Sequence, residues 1–234
     1  MNVLGYISIY ASTIYAATLI LGAICSINTD SVFVATKYQN YGMFAATTLL
    51  TFAMTCVPSQ TLSRLNMFYI FLQFAMLFAL IVALAAGTPS ELKNSASFVF
   101  ADFQNTGFWT NNGWAFMLSF LTPVWVVSGF ESAATIAEEA SNAAKAVPFA
   151  MVSSLMTATV TGWAVIITIA FCMGTDVIGI VTSPLGQPLA QIAFNSLGKS
   201  GSVALLVFLW ISSVANCSIL MVAASRETFA FARG

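Results

Sequence analysis

An all-α integral membrane protein is predicted by three observations on the 234-residue chain. Hydrophobic residues make up 59% of it and charged residues only 6%, where a soluble domain carries about 25%. The few charges are spaced so that six stretches between them are long and apolar enough to cross a bilayer. The third observation is the complete lack of histidine, which removes the commonest general base and the commonest metal ligand. Enzyme, metal and cofactor readings therefore have little to stand on. The net charge of -1 offers no basic footprint for a nucleic-acid partner, so the partners are the lipid bilayer and small molecules. Cys25, Cys56, Cys172 and Cys217 each sit alone in an apolar run and are expected to pack as small hydrophobes.

A helix rises about 1.5 Å per residue and the hydrocarbon core is about 30 Å thick, so roughly 20 apolar residues suffice to span it. The first predicted span covers residues 3–27. No positive charge precedes it, and the first charge of either sign is Asp30, so a retained span is expected rather than a cleaved signal. Its many Tyr, Ser, Thr and Ala side chains suit close helix packing. The second span, 42–57, stops at Pro58 and is followed by a compact polar turn from Ser59 to Arg64. The third, 65–86, ends at Gly87-Thr88-Pro89.

A polar segment with Glu91, Lys93 and Asp102 follows, and Trp109 and Trp114 flank its Asn111-Asn112-Gly113 turn signal. Tryptophans of this kind suit a membrane-water interface. The fourth span, 114–137, contains Pro123, Gly129 and Glu131, and the fifth covers 149–174. The stretch after Asp176 is free of charge but holds Pro184, Pro188 and many polar groups, a composition for a short extra-membrane or re-entrant helix over 188–197. The sixth span is 203–224. The sequon at Asn216 falls inside it, out of reach of a glycosylating enzyme.

Six spans divide the loops between two faces. Arg64, Lys145, Arg226 and Arg233 share one, and Lys37, Lys93 and Lys199 the other. The face with four basic residues also has the shorter loops, which places it and the amino terminus in the cytoplasm.

Within the spans, the residue with distinctive chemistry is Glu131. A carboxylate at the centre of a membrane helix costs roughly 2.5 to 3.5 kcal/mol on insertion scales, and such groups face a bundle interior or an aqueous pathway. Two readings follow from the residues alone: a hydrogen-bond acceptor between helices, or a member of a substrate site. Gly129, two residues earlier, is either a packing contact or a point where the helix breaks and frees backbone groups to hold a ligand.

The run from Trp125 to Pro148, WVVSGFESAATIAEEASNAAKAVP, resembles the sixth transmembrane helix and following cytoplasmic loop of the amino acid-polyamine-organocation superfamily. Gly186-Gln187-Pro188-Leu189-Ala190-Gln191-Ile192 resembles the external helix between that family's spans seven and eight. The segment from Ala224 to Arg233 resembles the end of span eight. In combination these motifs are most similar to fungal GABA, amino-acid and choline permeases.

The resemblance covers the chain and implies that its six spans are family spans three to eight. It implies part of a leucine-transporter-type bundle of two inverted five-helix repeats, without the first broken helix of the family's substrate site. It further implies transport of amino acids, GABA or related amines by alternating access, with a proton as candidate coupling ion, in the plasma or vacuolar membrane. Ser128, Gly129, Phe130 and Glu131 would line the substrate site, with Trp125 as the gating aromatic. Tyr15, Asn216 and Ser218 are weaker candidates for the pathway, the last two weighed against packing roles. Glu138, Glu139 and Lys145 would form a cytoplasmic gate, against the simpler reading of a solvated loop. The rival to a permease is a non-transporting membrane fragment or assembly subunit.

Overall fold

The computed structural model describes residues 2–30, 33–103, 105, 109–135, 137 and 142–233. Its regular elements are helices α1 (Asn2–Asn28), α2 (Lys37–Thr55), α3 (Ser59–Gly87), α4 (Ala96–Ala101), α5 (Asn112–Ser119), α6 (Leu121–Val127), α7 (Ser132–Thr135), α8 (Ala143–Cys172), α9 (Val177–Val181) and α10 (Pro188–Arg233). A single 3₁₀ turn, Ser90–Leu92, joins α3 to α4.

Among the described residues, five segments are long and apolar enough to cross a bilayer: Val3–Asn28, Gln60–Gly87, Asn112–Ala134, Ala143–Cys172 and Pro188–Ala232. The second expected span, 42–57, corresponds to α2, which begins five residues earlier and ends two residues sooner; its 19 residues reach roughly 28 Å but do not meet the same standard. Lys37, Gln39, Asn40 and four threonines dilute its apolar content. Two of those threonines, Thr47 and Thr51, are buried against the bundle. A reciprocal cap starts this helix. The Thr36 hydroxyl accepts from the Gln39 N–H, and the Gln39 side chain accepts from the Thr36 N–H at 2.8 Å.

The segment from Ser59 to Arg64, expected as a polar turn, is instead the first part of α3. Pro58 precedes it with φ -56, a value that leads directly into a helix, and Gln60, Leu62 and Arg64 are good helix formers. Likewise α8 begins before Pro148. A proline near a helix start removes one hydrogen bond without ending the helix.

Helices α1 and α10 form the centre of the bundle and run antiparallel. Near one end the Tyr10 hydroxyl reaches Met221 Sδ at 3.5 Å. At the other, Lys199 pairs with Asp30 at 2.6 Å. Small residues make this approach close: Ala17, Ala23 and Cys217 are fully buried, and Ala215 nearly so. One apolar cluster joins Met76, Leu80 and Leu84 of α3 to Cys172, Ile192 and Leu205. A second joins Ile20, Ala23 and Ile27 of α1 to Leu185, Ala190 and Leu206.

Polar ties cross the same interfaces. The Gln73 side-chain amide donates to the Ser212 carbonyl at 2.8 Å and accepts from its hydroxyl at 2.9 Å. Tyr10 bonds Thr51 at 2.8 Å, and Thr88 donates to Ser196 at 3.0 Å.

The outward faces are apolar. Phe149, Val152, Met156, Val160 and Trp163 are all exposed along one stripe of α8, and Phe68, Phe71, Phe78 and Val82 along α3. A stripe of this length at helical spacing matches a lipid surface. It identifies a multi-pass integral membrane protein.

Helix α10 contains a break at Gly198, with φ 67 and ψ -171. It separates a short helix over 188–197 from the long helix beyond, and Lys199 holds the junction to Asp30.

Candidate functional site at the broken helix

The fourth expected span, 114–137, is not one helix but three pieces, α5, α6 and α7. α5 passes into α6 at Phe120, and Pro123 sits in the first turn of α6, where a missing N–H costs little. At Ser128 the backbone turns extended, with φ -71 and ψ 160. Gly129 follows at φ +93, a region that side chains with a Cβ rarely adopt. Helix resumes only at Ser132.

Local hydrogen bonds hold this shape. The Ser128 hydroxyl and N–H both donate to the Trp125 carbonyl, at 2.8 and 3.3 Å. The Glu131 carboxylate turns back to accept from the Gly129 N–H at 3.0 Å, and the Ser132 hydroxyl donates to the Gly129 carbonyl at 2.7 Å. Among the described residues, the carbonyls of Val126, Val127 and Ser128 and the N–H groups of Phe130 and Glu131 find no backbone partner. Unsatisfied backbone groups at membrane depth are tolerated only where they meet protein, water or a ligand.

A cavity of about 440 Å³ opens beside this break. Trp125, Ser128, Gly129 and Phe130 line it, so four of the five residues expected from the sequence converge there. The fifth, Glu131, is half-buried at the end of the break, its carboxylate engaged with Gly129. Asn216 also lines the cavity, from α10.

Two other candidates lie elsewhere. Tyr15 is 53% exposed and does not line the cavity. The α1 residues that do are Tyr6, Ile9 and Thr13, and nine residues of helix from Tyr6 to Tyr15 turn through about half a circle, onto the opposite face. Ser218 is buried and donates to the Ala215 carbonyl at 2.7 Å within its own helix, a packing role. Glu138 and Glu139 lie outside the described residues. Lys145 is exposed in the first turn of α8, and among the described residues it makes no ion pair.

The wall from α1 escaped sequence reasoning because its signal is only a spacing. Tyr6, Ile9 and Thr13 fall at i, i+3 and i+7, and Asn216, Leu220 and Ala223 at i, i+4 and i+7, each on one helix face. Nothing in composition marks those faces as cavity rather than core. Tyr6 is the most informative of them. It is 5% exposed, and its hydroxyl makes no hydrogen bond of acceptable length and angle.

Comparison with known proteins agrees with this architecture. The sequence model of the family described as "Amino acid permease" matches residues 1–234. An uncharacterized amino-acid permease of Schizosaccharomyces pombe is 50% identical over 233 residues, covering 100% of this chain and 42% of the relative. The GABA-specific permease of Saccharomyces cerevisiae is 34% identical over 221 residues, covering 91% and 38%. Amino-acid permease 2 of Neurospora crassa is 31% identical over 203 residues, covering 87% and 37%. The chain thus spans about two fifths of the length of these relatives. No solved structure matches it. The relatives are transporters, not enzymes, and the chain belongs to the amino acid permease family.

Proposed function

We propose that this chain is part of a secondary permease that moves amino acids, GABA or related amines by alternating access. The observation that carries the reading is the break at Gly129, which exposes unpaired backbone groups to a cavity large enough for a small amino acid. Free carbonyls there can accept from an ammonium group, and the free N–H groups of Phe130 and Glu131 can donate to a carboxylate. Trp125, one turn before the break, is placed to close over the bound molecule. α2 serves as a sixth crossing, with Thr47 and Thr51 turned into the bundle. The Glu138, Glu139 and Lys145 region acts as the gate on the cytoplasmic side, with the amino terminus on that side.

The name of the yeast relative makes GABA the first substrate to try, with basic amino acids and choline as comparisons. A proton is the proposed coupling ion, and the plasma or vacuolar membrane the proposed location. Uptake of labelled GABA by the full-length protein and by its Gly129→Leu variant tests the reading. Uptake is expected to fall to background while the variant still reaches the membrane. Undiminished transport by that variant would remove the broken helix from the mechanism.

A further inference from the structure

The break at Gly129 leaves α6 as a piece of seven residues, too short to hold its own shape and position. It leans on α8. Their closest approach is at Gly162, where a Cβ atom would stand 3.0 Å from Val126 Cγ1, so a larger residue there would press on the valine. Alongside this contact runs a second cavity of about 400 Å³, bounded by α4, α6 and α8. Val126, Val127 and Ala158 line both this cavity and the one beside Gly129. One thin wall separates the two.

The second cavity is apolar. Phe100, Pro123, Trp163, Ile166 and Ile167 supply much of its surface, and none of its described lining residues is charged. The Thr159 hydroxyl, also in the lining, donates to the Leu155 carbonyl of its own helix at 2.8 Å. Cavities of this kind stay dry and take apolar guests.

Shape and position select the guest. The lining on α8 runs from Ala158 to Ala170, about 18 Å of helix, and a volume of about 400 Å³ drawn out over that length leaves a cross-section of about 22 Å². A helix with its side chains is about 10 to 12 Å across and does not fit. A single extended hydrocarbon chain does. The groove is also continuous with the lipid-facing stripe of α8, because Trp163 belongs to both and is 70% exposed. A free fatty acid would bring a carboxylate, for which the lining holds no basic residue.

We propose that this groove holds one acyl chain of a membrane phospholipid, and that the chain backs the wall formed by Val126, Val127 and Ala158. Lipid occupancy is thereby coupled to the shape of the cavity beside Gly129. With the groove filled, α6 is packed from behind; with it empty, the wall loses those contacts and α6 has room to fall back. The coupling to substrate rests on the transport reading, and the lipid site does not.

Photolabelling of the full-length protein in phosphatidylcholine nanodiscs, with a small fraction of the lipid carrying a diazirine on its acyl chain, tests the site. Peptide mapping is expected to find label on α6 and on α8 between residues 158 and 170. Ile167→Trp, which fills the groove, is expected to bring that label to background, while Val160→Trp on the open lipid face leaves it unchanged. If Ile167→Trp does not elute as folded protein, Thr159→Phe takes its place. Label along the Val160 stripe with none in the groove would mean that another segment of the full-length protein covers it, and overturns the proposal. Label that survives in the groove-filling variants is the behaviour of an ordinary lipid surface and overturns it too. The coupling is read as GABA affinity in detergent with and without added phosphatidylcholine. Wild type is expected to bind about fivefold more tightly with lipid, the scale of packing lost from one side of a wall, and Ile167→Trp equally in both conditions. Equal affinities in the wild type overturn the coupling. A labelled groove in a protein that binds no GABA overturns the transport reading and leaves the lipid site standing.

Discussion

The carboxylate of Glu131 accepts a 3.0 Å hydrogen bond from the backbone N–H of Gly129. The intramembrane acid thus caps the break that its neighbour creates, and one side chain has both a structural and an electrostatic part. The two separate in variants. Glu131→Gln keeps an oxygen able to accept from Gly129 and loses the charge, whereas Glu131→Ala loses both. Thermal stability in detergent is expected to be nearly unchanged in Glu131→Gln. In Glu131→Ala it should fall by about 1 kcal/mol, the usual net worth of one hydrogen bond. Uptake should be impaired in both.

The Gln73–Ser212 pair gives a prediction independent of the site. Its two hydrogen bonds link α3 to α10 inside the bundle. Gln73→Ala should lower stability by about 1 kcal/mol, and a double-mutant cycle with Ser212→Ala should show a coupling of similar size. Additive single effects would mean that the hydroxyl bond contributes nothing, since the bond to the Ser212 backbone carbonyl survives Ser212→Ala.

The Asp30–Lys199 ion pair should matter much less. Both side chains are substantially exposed, at 78% and 43%, and exposed pairs contribute at most about 1 kcal/mol. Asp30→Asn should shift the unfolding midpoint only slightly, and by less in high salt, where even that contribution is screened.

How far the sequence carries the account differs between helix and cavity. The apolar spans and the lone acid among them are legible in the chain, because each is forced by local chemistry, whereas Gly129 by itself reads either as a packing contact or as a break. A lone glutamate among apolar residues needs a polar surrounding, and a glycine two residues before it is where a helix can give way. Ser59 to Arg64 reads as a turn in the sequence and is helix in the structure, because polar residues after a proline serve equally well as a helix start. α2 shows the opposite problem: threonines that lower its hydropathy face the bundle and not lipid, and composition does not say which. Tyr15 and Tyr6 differ only in helical phase. Both are tyrosines of α1, and the cavity's direction around that helix is set by α10 and the broken segment.

The phase difference is itself testable. Thr13→Leu fills part of the cavity from α1, whereas Tyr15→Leu changes a surface on the far side of the same helix. GABA uptake by the full-length protein should drop about tenfold or more in the first variant, since the larger apolar side chain takes volume from the cavity and removes the Thr13 hydroxyl. It should change less than about twofold in the second.

The central claim is that the cavity beside Gly129 holds the substrate. Its most direct measurement is substrate protection of single cysteines placed at Asn216, Ala223 and Tyr15 in the full-length protein with its native cysteines replaced. The rate of modification by a water-soluble thiol reagent is followed with and without saturating GABA. Protection at positions 216 and 223, with none at position 15, is the predicted result. Equal modification at all three positions with and without substrate would contradict it.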